Sequence, residues 1–154
     1  MTRVCLVGDA DVNLRYELVS RETARDALAT YDLREPFVNT VALETISLGS
    51  AVSLCNDLNW YLVRFVEEVL VLEPSVSEEE WLSRKLARAV RDKEVTPEES
   101  GRYLKVFGVE ETEEGRKLVE PMYVTRTGPE LPEYDLRDVE ETVRVRVTEA
   151  EFGA

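Results

Sequence analysis

The sequence predicts an α/β fold in which a mixed β-sheet is packed with helices, built as a single globular domain over residues 1–154. Strand-like apolar runs alternate with segments of helical periodicity through the first half of the chain, which favours such a fold. Residues 48–66 contain a single carboxylate, Asp57, in this acidic chain, and residues 48–74 combine a helical spacing of apolar residues with a short apolar strand. In residues 143–147 valines alternate with arginines, as in a strand that is buried on one face and exposed to solvent on the other. The predicted element order is β-α-β-α-β-α-α-β-β, and a two-layer α+β sandwich is the alternative.

The first strand is predicted over residues 3–7, an apolar run that is followed by a turn at residues 8–11. Residues 13–30 then keep apolar side chains at helical spacing, and we predict one helix there. Residues 14–18 also alternate between apolar and charged side chains. A β-hairpin followed by a helix that Ser20 caps is therefore the alternative.

The second strand and the core helix come next. Pro36 disfavours helix for the residue before it, and residues 37–46 are rich in Val and Thr, which predicts a strand. A buried central helix is predicted over residues 48–66, and residues 69–72 form a third strand that ends before Pro74. This alternation suggests parallel strands joined by crossover helices, with an antiparallel extension at the C-terminal end.

Two capped helices are predicted in the second half of the chain. Ser77 and Glu80 have the spacing of a capping box, and acids precede bases through residues 77–93, as the helix dipole favours. Thr96 is the predicted N-cap of a second helix, and Gly108 is its predicted end.

The remaining residues follow a simpler pattern. An acidic surface loop is predicted at residues 109–117, a strand at 119–126 and a turn-rich loop at 128–132. The alternating strand at 143–147 comes last, and the residues after it are expected to fray.

The chain is strongly acidic, because 32 Asp and Glu against 19 Lys and Arg give a formal net charge of −13. Self-repulsion of this size destabilises a compact protein in dilute buffer. In molar salt the Debye length is only about 3 Å, so the repulsion is largely screened. We interpret the acidity as adaptation to a salty cytoplasm, and a surface made for a basic partner is the alternative.

Composition excludes several classes of function. The chain has no histidine, which removes Ser-His and Cys-His nucleophilic catalysis and an imidazole base. It has no GxGxxG segment and no P-loop, and we expect no cofactor. Cys5 and Cys55 lie in apolar runs and are predicted to be buried thiols. No apolar stretch reaches the ~18 residues of a membrane helix, so we expect a soluble cytoplasmic protein without a membrane partner.

Asp9 and Asp11 follow the first predicted strand, at the end of a sheet where α/β proteins bind ligands. Two carboxylates with this spacing could hold Mg²⁺, which prefers oxygen ligands and keeps several waters. Such a metal would suit an enzyme that acts on a phosphate compound. The alternative is that one of the two residues caps the next helix.

Asn56, Asp57 and Asn59 interrupt the central helix, and Trp60 follows them. Asn disfavours helices, and polar groups in a buried helix need partners. We therefore predict that these four residues line a ligand-binding pocket. Alternatively, they bond to the backbone at a kink or face the solvent.

Arg84, Arg88 and Arg91 lie at positions i, i+4 and i+7 and form a basic stripe on this acidic chain. A stripe of this kind could bind an acidic partner or a nucleic acid. The alternative is a solvated helix face that pairs with Glu80 and complements the helix dipole. Because the field of the whole chain would repel nucleic acid, we do not expect a nucleic-acid partner.

Four segments resemble a family of small acidic proteins from halophilic archaea. They are VCLVGDADV at residues 4–12, LRYELVSRETARDALATYDLREPF at 14–37, SLCNDLNWYLVRFV at 53–66 and PEYDLRDVEETV at 132–143. The resemblance implies a halophilic, cytoplasmic protein. It implies no activity and no functional residues, because the family has none assigned.

These observations together predict a non-catalytic domain that binds a partner protein or a small ligand. A Mg²⁺-dependent enzyme that uses Asp9 and Asp11 is the alternative. A nucleic-acid-associated factor that uses the basic stripe is the weaker alternative.

Overall fold

A computed structural model describes residues 1–153. Its seven strands are β1 (Thr2–Gly8), β2 (Thr40–Thr45), β3 (Val66–Leu72), β4 (Trp81–Ser83), β5 (Tyr103–Thr112), β6 (Gly115–Thr125) and β7 (Glu141–Val147). They form one sheet with the spatial order β2-β1-β3-β4-β7-β5-β6.

Residues 1–153 also form six helices: α1 (Leu14–Val19), α2 (Glu22–Leu28), α3 (Leu48–Asp57), α4 (Asn59–Phe65), α5 (Arg84–Arg91) and α6 (Glu149–Gly153). The sheet is mixed, because β4 and β7 are parallel and the other neighbouring strands are antiparallel. The predicted α/β class with a mixed sheet and packed helices is confirmed.

The pairing of the first three strands differs from the prediction. β1 is antiparallel to both β2 and β3, so β1 and β2 are not a parallel pair joined by a crossover helix. After β1 the chain passes through two short helices, α1 and α2. It then enters β2 at the same end of the sheet at which β1 finished. β2 and β3 do run parallel to each other on either side of β1, and the segment α3–α4 is the crossover between them.

A layer formed by α1 to α5 covers one face of the sheet around β1 to β4. Val4 and Leu6 of β1 and Leu82 of β4 point into this layer and are almost fully buried. Leucines from the helices fill the same cluster: Leu14, Leu18, Leu28, Leu54, Leu62 and Leu86. This cluster is the main hydrophobic core.

The opposite face of the sheet is concave and closes over its own apolar cluster. The backbone N–H of Val38, just before β2, donates to the carbonyl of Arg116 in β6 at 2.7 Å, which joins the two outer strands of the sheet. An ion pair between Lys105 of β5 and Glu68 of β3 spans the same face. The buried residues of the concave face are Cys5, Leu70, Phe107, Val109, Val143, Val145 and Val147.

The two long helices predicted in the first half are each broken. The helix predicted over residues 13–30 is divided into α1 and α2, because Ser20 ends α1 and Arg21 adopts an extended conformation. The β-hairpin alternative for this segment is wrong. The central helix is divided at Leu58, which is buried and ends α3 while it precedes α4.

The helix predicted over residues 77–93 starts later than its capping signal indicated. The side chain of Ser77 does accept a hydrogen bond from the N–H of Glu80, at 3.0 Å, but this bond closes a turn. The next residues form β4, in which Trp81 and Leu82 pack on opposite faces of the sheet. Ser83 is the N-cap of α5. Pairing with β3 and β7 has overridden the local helix signal.

The helix predicted from Thr96 to Gly108 is also wrong. Thr96 caps only one turn, with its hydroxyl accepting from the N–H of Glu99 at 3.2 Å, and the segment continues as β5. Gly108 lies inside this strand, where a Cβ would come within 2.8 Å of the Tyr134 ring.

The predicted acidic loop at residues 109–117 is the hairpin between β5 and β6. Glu149–Gly153 form α6, and fraying at the C-terminal end stays a prediction.

Candidate functional site: an arginine-lined cleft

Glu80, in the turn before β4, is a buried carboxylate surrounded by three arginines. Its side chain is only 6% exposed. Arg126 bonds to both carboxylate oxygens, at 2.6 and 2.7 Å, and Arg146 donates from Nε at 2.8 Å. A nitrogen of Arg144 lies 3.7 Å away. Because three guanidinium groups face one carboxylate, this cluster carries an excess of two positive charges.

The alternation of β7 places the arginines on the face of the sheet that carries the helices. The valines of β7 point into the concave cluster, so Arg144 and Arg146 point the other way. Arg146 pairs in register with Leu82 of β4 and Leu104 of β5. It therefore lies between the main core and a small cluster around Leu104, and its side chain is only 12% exposed.

Two opposing effects act on the pKa of Glu80. Burial raises the pKa of this carboxyl, but hydrogen bonds and positive charge from Arg126 and Arg146 lower it below its ordinary value. The net direction is downward. Glu80 is therefore ionised at neutral pH and holds both guanidinium groups in place.

Arg126 and Arg146 line a cavity of about 790 Å³, which we call the arginine cleft. It lies where α5 and the turn at residues 96–100 meet the ends of β5, β6 and β7. Arg146 donates to the hydroxyl of Ser100 at 2.9 Å, and Ser100 is itself buried. The Nε atom of Arg126 is buried and has no hydrogen-bond partner within residues 1–153. Glu98, Glu99 and Glu149 also line the cavity.

Two arginines held in this way can bind and orient an anion. Arginine stays protonated and presents several donors in a rigid fork that suits carboxylate and phosphate groups. The two cysteines lie elsewhere, and burial raises the pKa of Cys5 to about 12 and of Cys55 to about 11. These thiols are protonated at neutral pH, which makes them weak nucleophiles.

The predicted metal residues lie on the turn after β1. Asp9 is half-buried and Asp11 is exposed, and neither caps α1, because the side chain of Asn13 accepts from the N–H of Tyr16. Asn39 also holds this turn, since it donates to the carbonyl of Asp9 at 2.9 Å. In residues 1–153 no three His, Cys, Asp or Glu side chains lie close enough together to hold a metal ion. A Mg²⁺ site built from Asp9, Asp11 and water stays a prediction.

The predicted pocket residues lie around the break between α3 and α4. Asn56, Asp57, Asn59 and Trp60 are all exposed, and they do not line the arginine cleft. The Trp60 ring packs instead against the guanidinium of Arg64, 3.9 Å from the ring centroid. The structure brings these four residues to one surface, and their role in ligand binding stays a prediction.

The predicted basic stripe lies on α5 and is largely paired. Arg84 is half-buried and donates to the carbonyl of Cys55 at 3.2 Å. Arg91 bonds to Asp92 at 2.7 Å, and Arg88 lies 3.9 Å from the same carboxylate. Glu80 pairs with the arginines of the cleft, so the predicted pairing of the stripe with Glu80 is wrong.

Sequence reasoning missed the Glu80 cluster. The capping-box spacing predicts a helix cap for Glu80, whereas the partners that it contacts lie 46 and 66 residues away. One usable signal was present, since β7 carries two arginines on a strand with a valine-rich face. The alternation predicts that the arginines of β7 are exposed to solvent. Arg144 is exposed as predicted, but Arg146 is not.

The fold and the cleft define a curled, mixed-sheet α/β protein with a buried ion-pair cluster beside a cavity. A family model described as a family of unknown function (DUF5804) matches residues 2–109, and the chain belongs to this family. The matched residues include Glu80 but end before its three arginine partners. No curated protein and no solved structure matches the chain. Within residues 1–153, no helix is long and apolar enough to cross a membrane.

Proposed function

We propose that this protein is a non-catalytic domain that binds a small anionic ligand, a carboxylate or a phosphate compound, in the arginine cleft. The observation that carries the proposal is the placement of Arg126 and Arg146 on the cavity wall, fixed from behind by the buried carboxylate of Glu80. Guanidinium groups that are held in place before binding lose little further freedom when an anion arrives.

Two further features support an anion at this position. One carboxylate faces three guanidinium groups in the Glu80 cluster, and two of these, from Arg126 and Arg146, belong to residues that line the cavity. The buried Nε of Arg126 is a donor without a partner in residues 1–153, and leaving such a donor unpaired is costly. This Nε has almost no exposed area, so an anion in the cavity would accept from its N–H only after the Arg126 side chain turned toward the cavity.

The setting that we propose is a salty cytoplasm. The net charge of −13 and the acidic residues around the cleft would repel an anion in dilute buffer. At about 1 M salt the Debye length of about 3 Å confines that repulsion to near contact distance. The arginines would then act on the ligand at short range.

The experiment is thermal melting in potassium chloride solutions between about 0.1 and about 1 M, with phosphate, succinate or glutamate added. A ligand that binds the folded protein raises the melting temperature. We expect at least one of these anions to raise it in the wild type and in Arg25→Gln, which removes an exposed arginine that does not line the cleft. The shift should be lost in Arg126→Gln. No shift with any anion, or a shift that survives Arg126→Gln, would overturn the proposal.

A further inference from the structure

A second cavity, of about 690 Å³, opens onto the concave face of the sheet. We call it the sheet mouth. Ala42 and Trp81, which line it, pack against the same cluster as Cys5 and Leu70 on the concave face. The apolar and aromatic residues around the cavity are Met1, Tyr31, Pro36, Phe37, Leu43 and Trp81. Mouths of curled or closed sheets are frequent ligand sites, and this volume is in the range of small-molecule pockets.

The charged residues that line the sheet mouth are all paired. Arg3 lies 3.5 Å from Glu44, and Arg34 lies 3.3 Å from Asp32. The remaining one, Glu35, lies 3.6 Å from Arg15 of α1. The charged side chains that line this cavity are therefore balanced in pairs, although the chain as a whole carries −13. Charge complementarity here favours a neutral ligand.

Aromatic side chains from three separate segments line the cavity. Tyr31 follows α2, Phe37 precedes β2, and Trp81 opens β4. Each of the three is partly exposed; Tyr31 also packs against the main core, and the Phe37 ring lies 5.3 Å from the guanidinium of Arg116. Flat aromatic walls favour a flat ring as their partner, because ring pairs gain energy beyond the buried area.

We propose that the sheet mouth binds a small neutral ligand with a planar, apolar ring system. The site shares no lining residue with the arginine cleft. It is therefore independent of the proposed anion site, and either one can be wrong without the other.

The test uses the two tryptophans of the chain. In the Trp60→Phe protein, Trp81 is the remaining tryptophan, so its fluorescence reports on the sheet mouth. The probe is N-phenyl-naphthylamine, which is neutral, carries a flat naphthalene ring and accepts energy from tryptophan. Its sulfonated analogue, anilinonaphthalene sulfonate, has the same ring system with a negative charge and serves as the matched control ligand.

We expect the neutral probe to quench Trp81 in a saturable way and to bind at least about tenfold more tightly than the sulfonate. Ala42→Phe, which fills the cavity, and Tyr31→Ala, which removes a wall, should each weaken binding by about tenfold or more. Tyr16→Ala removes an exposed tyrosine outside the cavity and should leave binding unchanged. Melting curves establish that each variant is folded.

Three results would overturn the proposal. The first is an absence of saturable quenching up to the solubility limit of the probe. The second is binding that neither Ala42→Phe nor Tyr31→Ala weakens, since the probe would then occupy another place. The third is equal or tighter binding of the sulfonate, which would contradict a neutral site.

Discussion

The arginine cleft and the sheet mouth are cavities of similar volume, about 790 and about 690 Å³, but they differ in how their charges are balanced. The cleft adjoins a cluster in which three arginines share one buried carboxylate. At the mouth each charged side chain has an opposite partner. The two proposed ligands therefore differ because of how the charged side chains are paired, and not because of how many there are.

The two sites also depend on different parts of the fold. The cleft relies on the face of β7 that carries arginines, while the mouth relies on the face of β1, β2 and β4 that lines the concave cluster. Substitutions can therefore affect one site and spare the other. The predictions below use this independence.

The largest effect is expected for Glu80→Gln. The substitution leaves Arg126 and Arg146 beside a neutral amide, and removing one partner of a buried ion pair costs about 3–5 kcal/mol. Because Arg126 and Arg144 still reach solvent, we expect the lower end of this range, about 3 kcal/mol. Urea unfolding in concentrated salt measures the change.

The control for this prediction is Glu79→Gln, one residue earlier in the same turn. Glu79 is exposed, so its removal should change the free energy of unfolding by less than about 0.5 kcal/mol. Equal effects of the two substitutions would mean that the loss at Glu80 is a general charge effect and that the cluster is not a stabilising unit.

Leu70→Ala should destabilise the concave face while the cleft stays intact. Leu70 is fully buried, and Leu→Ala in a core costs about 2–5 kcal/mol. The nearby sheet mouth gives the site room to relax, so we expect about 2–3 kcal/mol. The rise in melting temperature with the cleft ligand should be unchanged. A lost rise would show that the two regions are coupled.

The pH dependence of stability should distinguish Glu80 from exposed carboxylates. Its pKa is lower in the folded protein than in the unfolded chain, where it is about 4.3. The stabilisation that this shift provides is therefore complete above about pH 4.3 and is lost as the pH falls through the folded value. The difference in unfolding free energy between wild type and Glu80→Gln should shrink in that acid range. A constant difference down to the lowest measurable pH would contradict a depressed pKa.

Much of the fold could be predicted where a local pattern and the tertiary environment agree. The apolar run of β1 forms a strand that is buried on both faces of the sheet, and the alternating residues of β7 form a strand whose valines share one face. Ser77 and Thr96 show the opposite case. Both make the hydrogen bonds that a capping signal predicts, yet each bond closes a turn that leads, directly or after a few residues, into a strand.

The candidate sites were less predictable for a physical reason. Glu80 and Arg146 meet only because β4 pairs with β7 in parallel, and no periodicity in the sequence encodes that pairing. The paired charges of the sheet mouth likewise join Arg3 of β1 to Glu44 of β2 across a sheet register. Local patterns specify which face a residue takes on its own strand, whereas a site depends on which strands become neighbours.

The smallest effect is expected for the double substitution Arg3→Gln with Glu44→Gln at the rim of the sheet mouth. Both side chains are at least half exposed, and exposed ion pairs contribute about 0–1 kcal/mol. We expect a change in stability below about 0.5 kcal/mol and unaltered binding of the neutral naphthylamine probe, because the cavity stays uncharged. Arg3→Gln alone leaves Glu44 unpaired and should weaken binding of the sulfonated probe further. If the double substitution instead abolishes binding of the neutral probe, the ion pair itself contacts the ligand, and the contrast between a charged cleft and a neutral mouth fails.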